Sequence, residues 1–189
     1  MSNKIMTLLK CSRGKSSLFP YFIAWGVMLG FYSEFVSAEC VDTVKASDSE
    51  NRFIINSDNT ILDTFTHLIW MRCPIGYEWN EVQSLCSEKM DEPQVYTWQA
   101  ALIASEIYSN SVSTDWRLPN TKEAESIVLR NCFNPALEVS VFSQLSVGNF
   151  WTSTPAFFGE AWAIDYDLGS LSVTRKSNEY HVRLLKVVD

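Results

Sequence analysis

Histidine is almost missing from this 189-residue chain; only His67 and His181 occur, far apart in sequence. There is no G-x-S-x-G motif, so the usual marks of a nucleophile with its base are lacking. Either histidine reads most simply as a surface or partly buried side chain. The chain also lacks a run of apolar residues long enough to cross a bilayer. Its longest, LFPYFIAWGVMLGF at 18–31, has 14 residues where roughly 20 are needed. Cations are scarce, 15 against 22 acidic residues. Internal repeats, low-complexity tracts and a second-domain linker are all absent, so one domain is expected.

The apolar run follows Lys4, Lys10, Arg13 and Lys15 and precedes VSA at 36–38. A basic stretch, an apolar stretch and a small-residue end form a secretory signal, with cleavage expected after Ala38. The alternative is an uncleaved anchor, since YSEFV extends the apolar run at the cost of one Glu. Glu39 before Cys40 argues against a lipoprotein. Removal of 1–38 leaves 11 basic and 21 acidic residues, a net charge of −10. Nucleic acid and anionic surfaces would repel such a domain. No stable membrane span is expected once the signal is removed.

Four cysteines remain: Cys40, Cys73, Cys86 and Cys132. An even set in an exported chain reads as two disulfides, for which three connectivities exist. Cys73 and Cys86 flank PIGYEWNEVQSL, which reads as a local loop to be stapled. That pairs Cys40 with Cys132 and ties the new N-terminus to the middle of the domain. Zinc would want ligands at closer spacing.

Residues 39–51 read as a polar, extended lead-in to a domain at 52–189. FII, TIL and HLIWM within 52–73 are short β-type runs, with NSDN as a turn between the first two. The 74–96 segment is expected to be loop. YTWQAALIASEIYS (96–109) predicts a helix capped by Thr97, with Ala100, Ala101, Ile103, Ala104 and Ile107 on its inner face. A second helix should start at Asn120, with Glu123 completing a capping box, and run through TKEAESIVLRN. Pro119 closes the preceding extended piece, in which Trp116 and Leu118 alternate toward a core while Arg117 faces solvent or a carboxylate. Four strands follow, at 149–155, 160–167, 170–176 and 180–188, with DLGS as a hairpin turn. The class is α+β, two helices packed on antiparallel strands.

Few residues offer chemistry. DYDLGS places Asp165 and Asp167 two apart, as in a calcium loop. The sixth and twelfth positions are Ser170 and Lys176, where an EF-hand needs Gly and Glu. A nonstandard calcium site using Asp165, Asp167 and Glu160 is the weak alternative to a plain turn. No spacing selects a glycosidase carboxylate pair. Trp70, Trp116, Trp151 and Trp162 lie in alternating apolar strands and read as core. Trp79, among Glu78, Asn80 and Glu81, is the aromatic expected to meet solvent or a ligand.

Taken in order, LIWMRCPIGYEWN, YTWQAAL, DWRLPNTKEAESIV, CFNPAL, FWTSTP, AWAIDYDLG and VRLLK resemble the Lcl C-terminal domain family. This is a bacterial exported domain of unknown function named for the Legionella collagen-like adhesin. The resemblance spans roughly 52–187. It implies a C-type-lectin-like fold, related to that of formylglycine-generating enzymes, and a place at the cell surface or in the periplasm. The namesake's binding of sulfated polysaccharide needs a basic surface, which a net −10 does not provide, so it is not carried over. The enzyme relative's cysteine chemistry is not carried over either, since no cysteine follows Cys132. The expectation is a noncatalytic binding or adhesion module for a neutral glycan or an envelope protein, without a cofactor. A structural subunit of a surface assembly and an enzyme of unrecognised type are the alternatives. Trp116, Arg117, Leu118, Pro119, Asn120 and Glu123 are then scaffold. Intact-mass measurement on the exported protein should show a chain beginning at Glu39. A mass that retains residues 1–38 would establish the anchor instead.

Overall fold

The computed structural model describes residues 39–41, 51–142 and 148–188; the expected signal segment and most of the lead-in lie outside them. Eleven strands and three helices occur among the described residues, an α+β arrangement of small antiparallel sheets. Strands β2 (Phe53–Ile55), β3 (Thr60–Asp63), β4 (Leu68–Met71) and β11 (Leu185–Val187) form one sheet in the order β11-β4-β3-β2. Strands β8 (Asn149–Pro155), β9 (Glu160–Asp165) and β10 (Ser170–Arg175) form a second, ordered β10-β9-β8. Two smaller pairs complete the set: β1 (Glu39–Cys40) with β7 (Cys132–Phe133), and β5 (Tyr77–Asn80) with β6 (Leu85–Glu88).

Residues of these strands alternate between two cores. Leu68, Trp70, Phe150, Ile164, Tyr166 and Leu185 enter one, with Ala124, Ile127 and Val128 from the α2 region. Trp116, Leu118, Trp151, Ala161, Ala163, Val182 and Leu184 enter the other, with Ala101 of α1. Strands covered on both faces can be apolar almost throughout, which is why LIWM and WAI lack clean polar alternation. The helices α1 (Trp98–Val112) and α2 (Thr121–Ser126) therefore serve different cores. A third helix, α3 (Val139–Phe142), adds Val141 and Phe142 to the first core.

Several local expectations change. The 74–96 segment holds the β5–β6 hairpin, because the Asn80 side chain accepts the Val82 and Gln83 amides and Ser84 takes a positive φ of 52°. Helix α2 stops at Ser126 rather than running to Asn131. Beyond it Val128 and Leu129 turn inward, and the Leu129 amide donates to the Ala136 carbonyl instead of continuing the helix. On α1 the inner face is Ala101 and Ser105, while Ile103 and Ile107 are exposed. The face is decided by the tertiary contacts of Leu102 and Tyr108, not by the summed apolarity of the helix.

Regular pairing of the final strand is confined to 185–187, since the chain between 180 and 185 changes partners almost residue by residue. Tyr180 bridges Tyr96, His181 exchanges bonds with β8, Val182 and Leu184 accept from Ile75 and Met71, and Leu185 bridges Arg117. Both disulfides are present, Cys40–Cys132 and Cys73–Cys86. They span sequence separations of 92 and 13. The first removes much the longer loop from the unfolded ensemble.

One buried ion pair holds the β2–β3 end. Arg52 donates through Nε to Asp63 Oδ1 at 2.8 Å and through Nη2 to Oδ2 and the Ser126 carbonyl. Burial alone would raise the Asp63 pKa. Hydrogen bonds from Arg52, Thr66 and the Phe65 amide outweigh that effect, so it lies below the usual carboxylate range. A folded pKa below the unfolded one gives stability that is full above about pH 4 and is lost as pH falls through the folded value. Asp63→Asn should therefore cost about 3 kcal/mol near neutrality. In urea titrations its stability should fall less steeply than that of wild type as pH drops below about 4.

Candidate functional site

The stretch TDWRLPN is built into the scaffold from both sides. Arg117 bridges Leu185 through its backbone, while Trp116 and Leu118 point into the second core. The Pro119 carbonyl accepts the Ser153 amide at 2.7 Å, and Thr154 Oγ1 accepts the Thr121 amide at 3.2 Å. FWTSTP is thereby locked to the start of α2. Asn120 caps that helix, and Glu123 returns a bond to the Asn120 amide, a complete capping box. Arg117 reaches both Glu123 oxygens at 2.8 Å. Burial would raise the Glu123 pKa, but bonds from Arg117 and the Asn120 amide bring it down. Outside this motif lies a cleft of about 400 Å³ lined by Asp115, Arg117 and Lys186 among others. Its described lining is mostly polar, with Ser113, Thr114, Asp115 and Lys186 beside an Arg117 already engaged by Glu123, and it has no aromatic wall.

The three acidic candidates for calcium do not come together. Asp165 accepts the Asp167 and Leu168 amides and so shapes the turn after β9. Glu160 begins that same strand, pairing with Arg175, while Asp165 ends it. Five residue steps of extended chain separate the two by roughly 16 Å. No group of three or more His, Cys, Asp or Glu suited to a metal occurs among the described residues. Asp167 has a raised pKa, first through burial and then through the nearby Asp165 carboxylate.

The aromatic expectations divide. Trp70, Trp116 and Trp151 are buried, whereas Trp162 is only half-buried. Trp79 is half-buried. The Arg72 guanidinium lies 3.2 Å from its ring centroid, and the indole Nε1 is buried. The cation in MRC covers one face of the ring, a contact that sequence spacing cannot reveal. Trp98 is likewise occupied, by Lys176 at 4.1 Å on one face and by a bond from Nε1 to the Thr152 carbonyl. His67 is exposed in a turn at a positive φ of 56°. His181 is half-buried beside Tyr77 and Phe150, with Nδ1 2.9 Å from the Gln94 carbonyl oxygen. Burial is the main cause of its lowered pKa.

A different aromatic pair lines an accessible cleft. Tyr77 of β5 and Tyr108 of α1 flank a cleft of about 330 Å³, bounded also by Met71, Ile75, Lys89 and Glu92. Lys89 and Glu92 form an ion pair at 3.1 Å. Burial raises the pKa of both tyrosines, so their hydroxyls remain proton donors across the neutral range. Gly76 sits on the wall at φ 84°, where a Cβ would meet the Pro93 carbonyl oxygen at 2.3 Å. Cys73–Cys86 braces the hairpin that carries Tyr77. The cleft thus combines aromatic edges, hydroxyl donors, a carboxylate and an ammonium on a braced frame. It has no activated nucleophile. Sequence reading missed it because Tyr77 and Tyr108 are 31 positions apart and meet only when α1 docks beside the hairpin.

The model of the Lcl C-terminal domain matches residues 59–186. The chain belongs to that family. The match runs from β3 into β11 and includes the whole lining of the Tyr77–Tyr108 cleft, so the Lcl C-terminal domain contains Cys73, Cys86 and Cys132 but not Cys40. No curated protein matches the chain. No helix among the described residues is long and apolar enough to cross a membrane, and the two disulfides fit an exported chain. In this Lcl C-terminal domain the TDWRLPN element performs a capping and joining task. Asn120→Ala should lower stability by about 1 kcal/mol in urea unfolding. It should leave the disulfides and the Tyr77–Tyr108 cleft intact.

Proposed function

We propose that the protein is a noncatalytic binding module of the bacterial cell envelope, with a C-type-lectin-like fold, whose ligand is a neutral glycan. It acts in the periplasm or at the cell surface after loss of its signal segment. The observation that carries this reading is the cleft between Tyr77 and Tyr108. Aromatic rings stack on the apolar faces of sugar rings, while hydroxyl, carboxylate and ammonium groups meet sugar hydroxyls. Lys89 and Glu92 are already paired, so the cleft carries little net charge and favours an uncharged ligand over a sulfated one. The net −10 beyond residue 38 acts in the same direction.

Binding rather than catalysis is supported by the side chains present. All four cysteines beyond the signal are in disulfides. His181 has Nδ1 against the Gln94 carbonyl and packs edge-on against the Tyr77 ring, with no hydrogen bond to a hydroxyl or thiol among its described contacts. A braced cleft loses little conformational entropy on binding, which suits modest, selective recognition. The family membership supports an exported role and leaves the ligand to be established.

A glycan array probed with the purified exported protein should give hits among neutral oligosaccharides that persist in chelator. For the best hit, calorimetry on Tyr77→Ala and Tyr108→Ala should each show affinity at least about tenfold weaker, the loss of roughly 1.4 kcal/mol of contact. A blank array with fully oxidised protein would sink the glycan reading and leave an assembly subunit; hits unaffected by both variants would overturn the cleft as the site.

A further inference from the structure

The hairpin between β8 and β9 ends in two phenylalanines that nothing in the domain covers. Phe157 is 81% exposed and Phe158 fully so, with ring centroids 6.3 Å apart. Isolated exposed apolar residues are ordinary, but two adjacent large rings at one tip are not. The backbone is bent to present them. Phe158 has a φ of 47°, a left-handed conformation that is uncommon for a bulky residue, and Gly159 follows at 81°. A sparsely populated conformation of this kind marks a functional hypothesis when the surrounding structure enforces it.

Here the surroundings do. The Ala156 amide donates to the Glu160 carbonyl at 2.9 Å, and the Glu160 amide donates to Phe157 at 3.0 Å. The Lys176 amide binds the Gly159 carbonyl at 2.9 Å and fixes the tip against the end of β10. The knob is therefore braced. Its Phe157 and Gly159 carbonyls are bonded within the domain, which removes two acceptors from the cost of leaving water.

The residues around the knob are layered. Phe157 and Phe158 form an apolar end with no hydrogen-bonding handle. At its base Lys176 lies over Trp98, and the Trp98 indole NH is bonded to Thr152. Tryptophan and lysine are the side chains that settle at the headgroup level, below which purely apolar groups enter the acyl boundary. A convex end without polar anchors suits a deformable apolar phase better than a shaped pocket that needs directional contacts. The net −10 selects among lipids, since anionic headgroups would repel the domain.

We propose that the Phe157–Phe158 tip is a membrane-docking knob that inserts reversibly into a zwitterionic lipid surface. This inference is independent of the Tyr77–Tyr108 cleft. A single small apolar anchor gives weak, reversible attachment, so the domain would visit the bilayer rather than remain in it.

The test is cosedimentation of the purified exported protein with phosphatidylcholine vesicles and with vesicles containing phosphatidylglycerol. The comparison variant is Phe157→Ser with Phe158→Asn, because asparagine tolerates the left-handed backbone at 158 and the hairpin is kept. Wild type should partition onto phosphatidylcholine, more weakly onto phosphatidylglycerol at low salt, and at least about tenfold better than the double variant. Val82→Ser and Met90→Ser, at sites 96% and 99% exposed, should leave partition unchanged. Unchanged circular dichroism would show that the double variant remains folded. Partition equal in wild type and double variant, or no partition at all, would overturn the proposal. Loss of a copurifying protein in the double variant, with vesicle binding unaltered, would also overturn it and make the tip a protein contact.

Discussion

The segment from Tyr180 to Leu185 is the constraint on which the rest of the structure depends. Its main chain bonds in turn to Tyr96, β8, Ile75, Met71 and Arg117, segments that are far apart in sequence. Its side chains alternate as a strand requires, so Val182 and Leu184 fill one core and Leu185 the other. The two sheets are joined through this piece, and both cores share it as a wall. The C-terminal segment must arrive before either core closes fully, a high contact-order arrangement typical of β-rich domains.

Arg183 lies in the same segment and sharpens the constraint. It is 1% exposed, and its three guanidinium nitrogens have no hydrogen-bond partner among the described residues. Phe142 and Phe150 face it at 4.9 and 5.4 Å, so the charge rests between aromatic rings rather than on a carboxylate. Burial lowers its pKa to about 10, partly opposed by Tyr166. The Tyr166 hydroxyl in turn donates to the Ala124 carbonyl and fastens β9's end to α2. A buried cation with only aromatic compensation is costly, and it fixes the 180–187 register because a shift by one residue would exchange it with Leu184.

Cations recur as lids on aromatic rings: Arg72 on Trp79, Lys176 on Trp98 and, more loosely, Lys186 near Trp116. In an acidic domain three of the few cations are thus spent on indole rings. Among the aromatic surfaces left accessible are the tyrosine cleft and the phenylalanine tip. The first offers hydrogen-bonding groups beside its rings and the second offers none, which is why the two suit different ligands.

The sequence by itself determined the two disulfides, the capping box, the α+β class and the family, because each is encoded locally or in an ordered string of motifs. Asn120 and Glu123 are three residues apart, and helix geometry alone brings them together. Cys73 and Cys86 are nearly as local. Only the tertiary structure decided which aromatic surfaces stay open. Trp79 looked exposed beside Glu78 and Asn80 until Arg72, seven residues earlier, was laid over it by the turn between β4 and β5. Ile103 and Ile107 looked internal until α1 docked through Ala101 and Ser105. Tyr77 and Tyr108 became a pair only because long-range packing set a helix beside a hairpin. Local sequence specifies elements and their ends. Which face of an element meets which neighbour is a property of the packed chain, and the site lies on those faces.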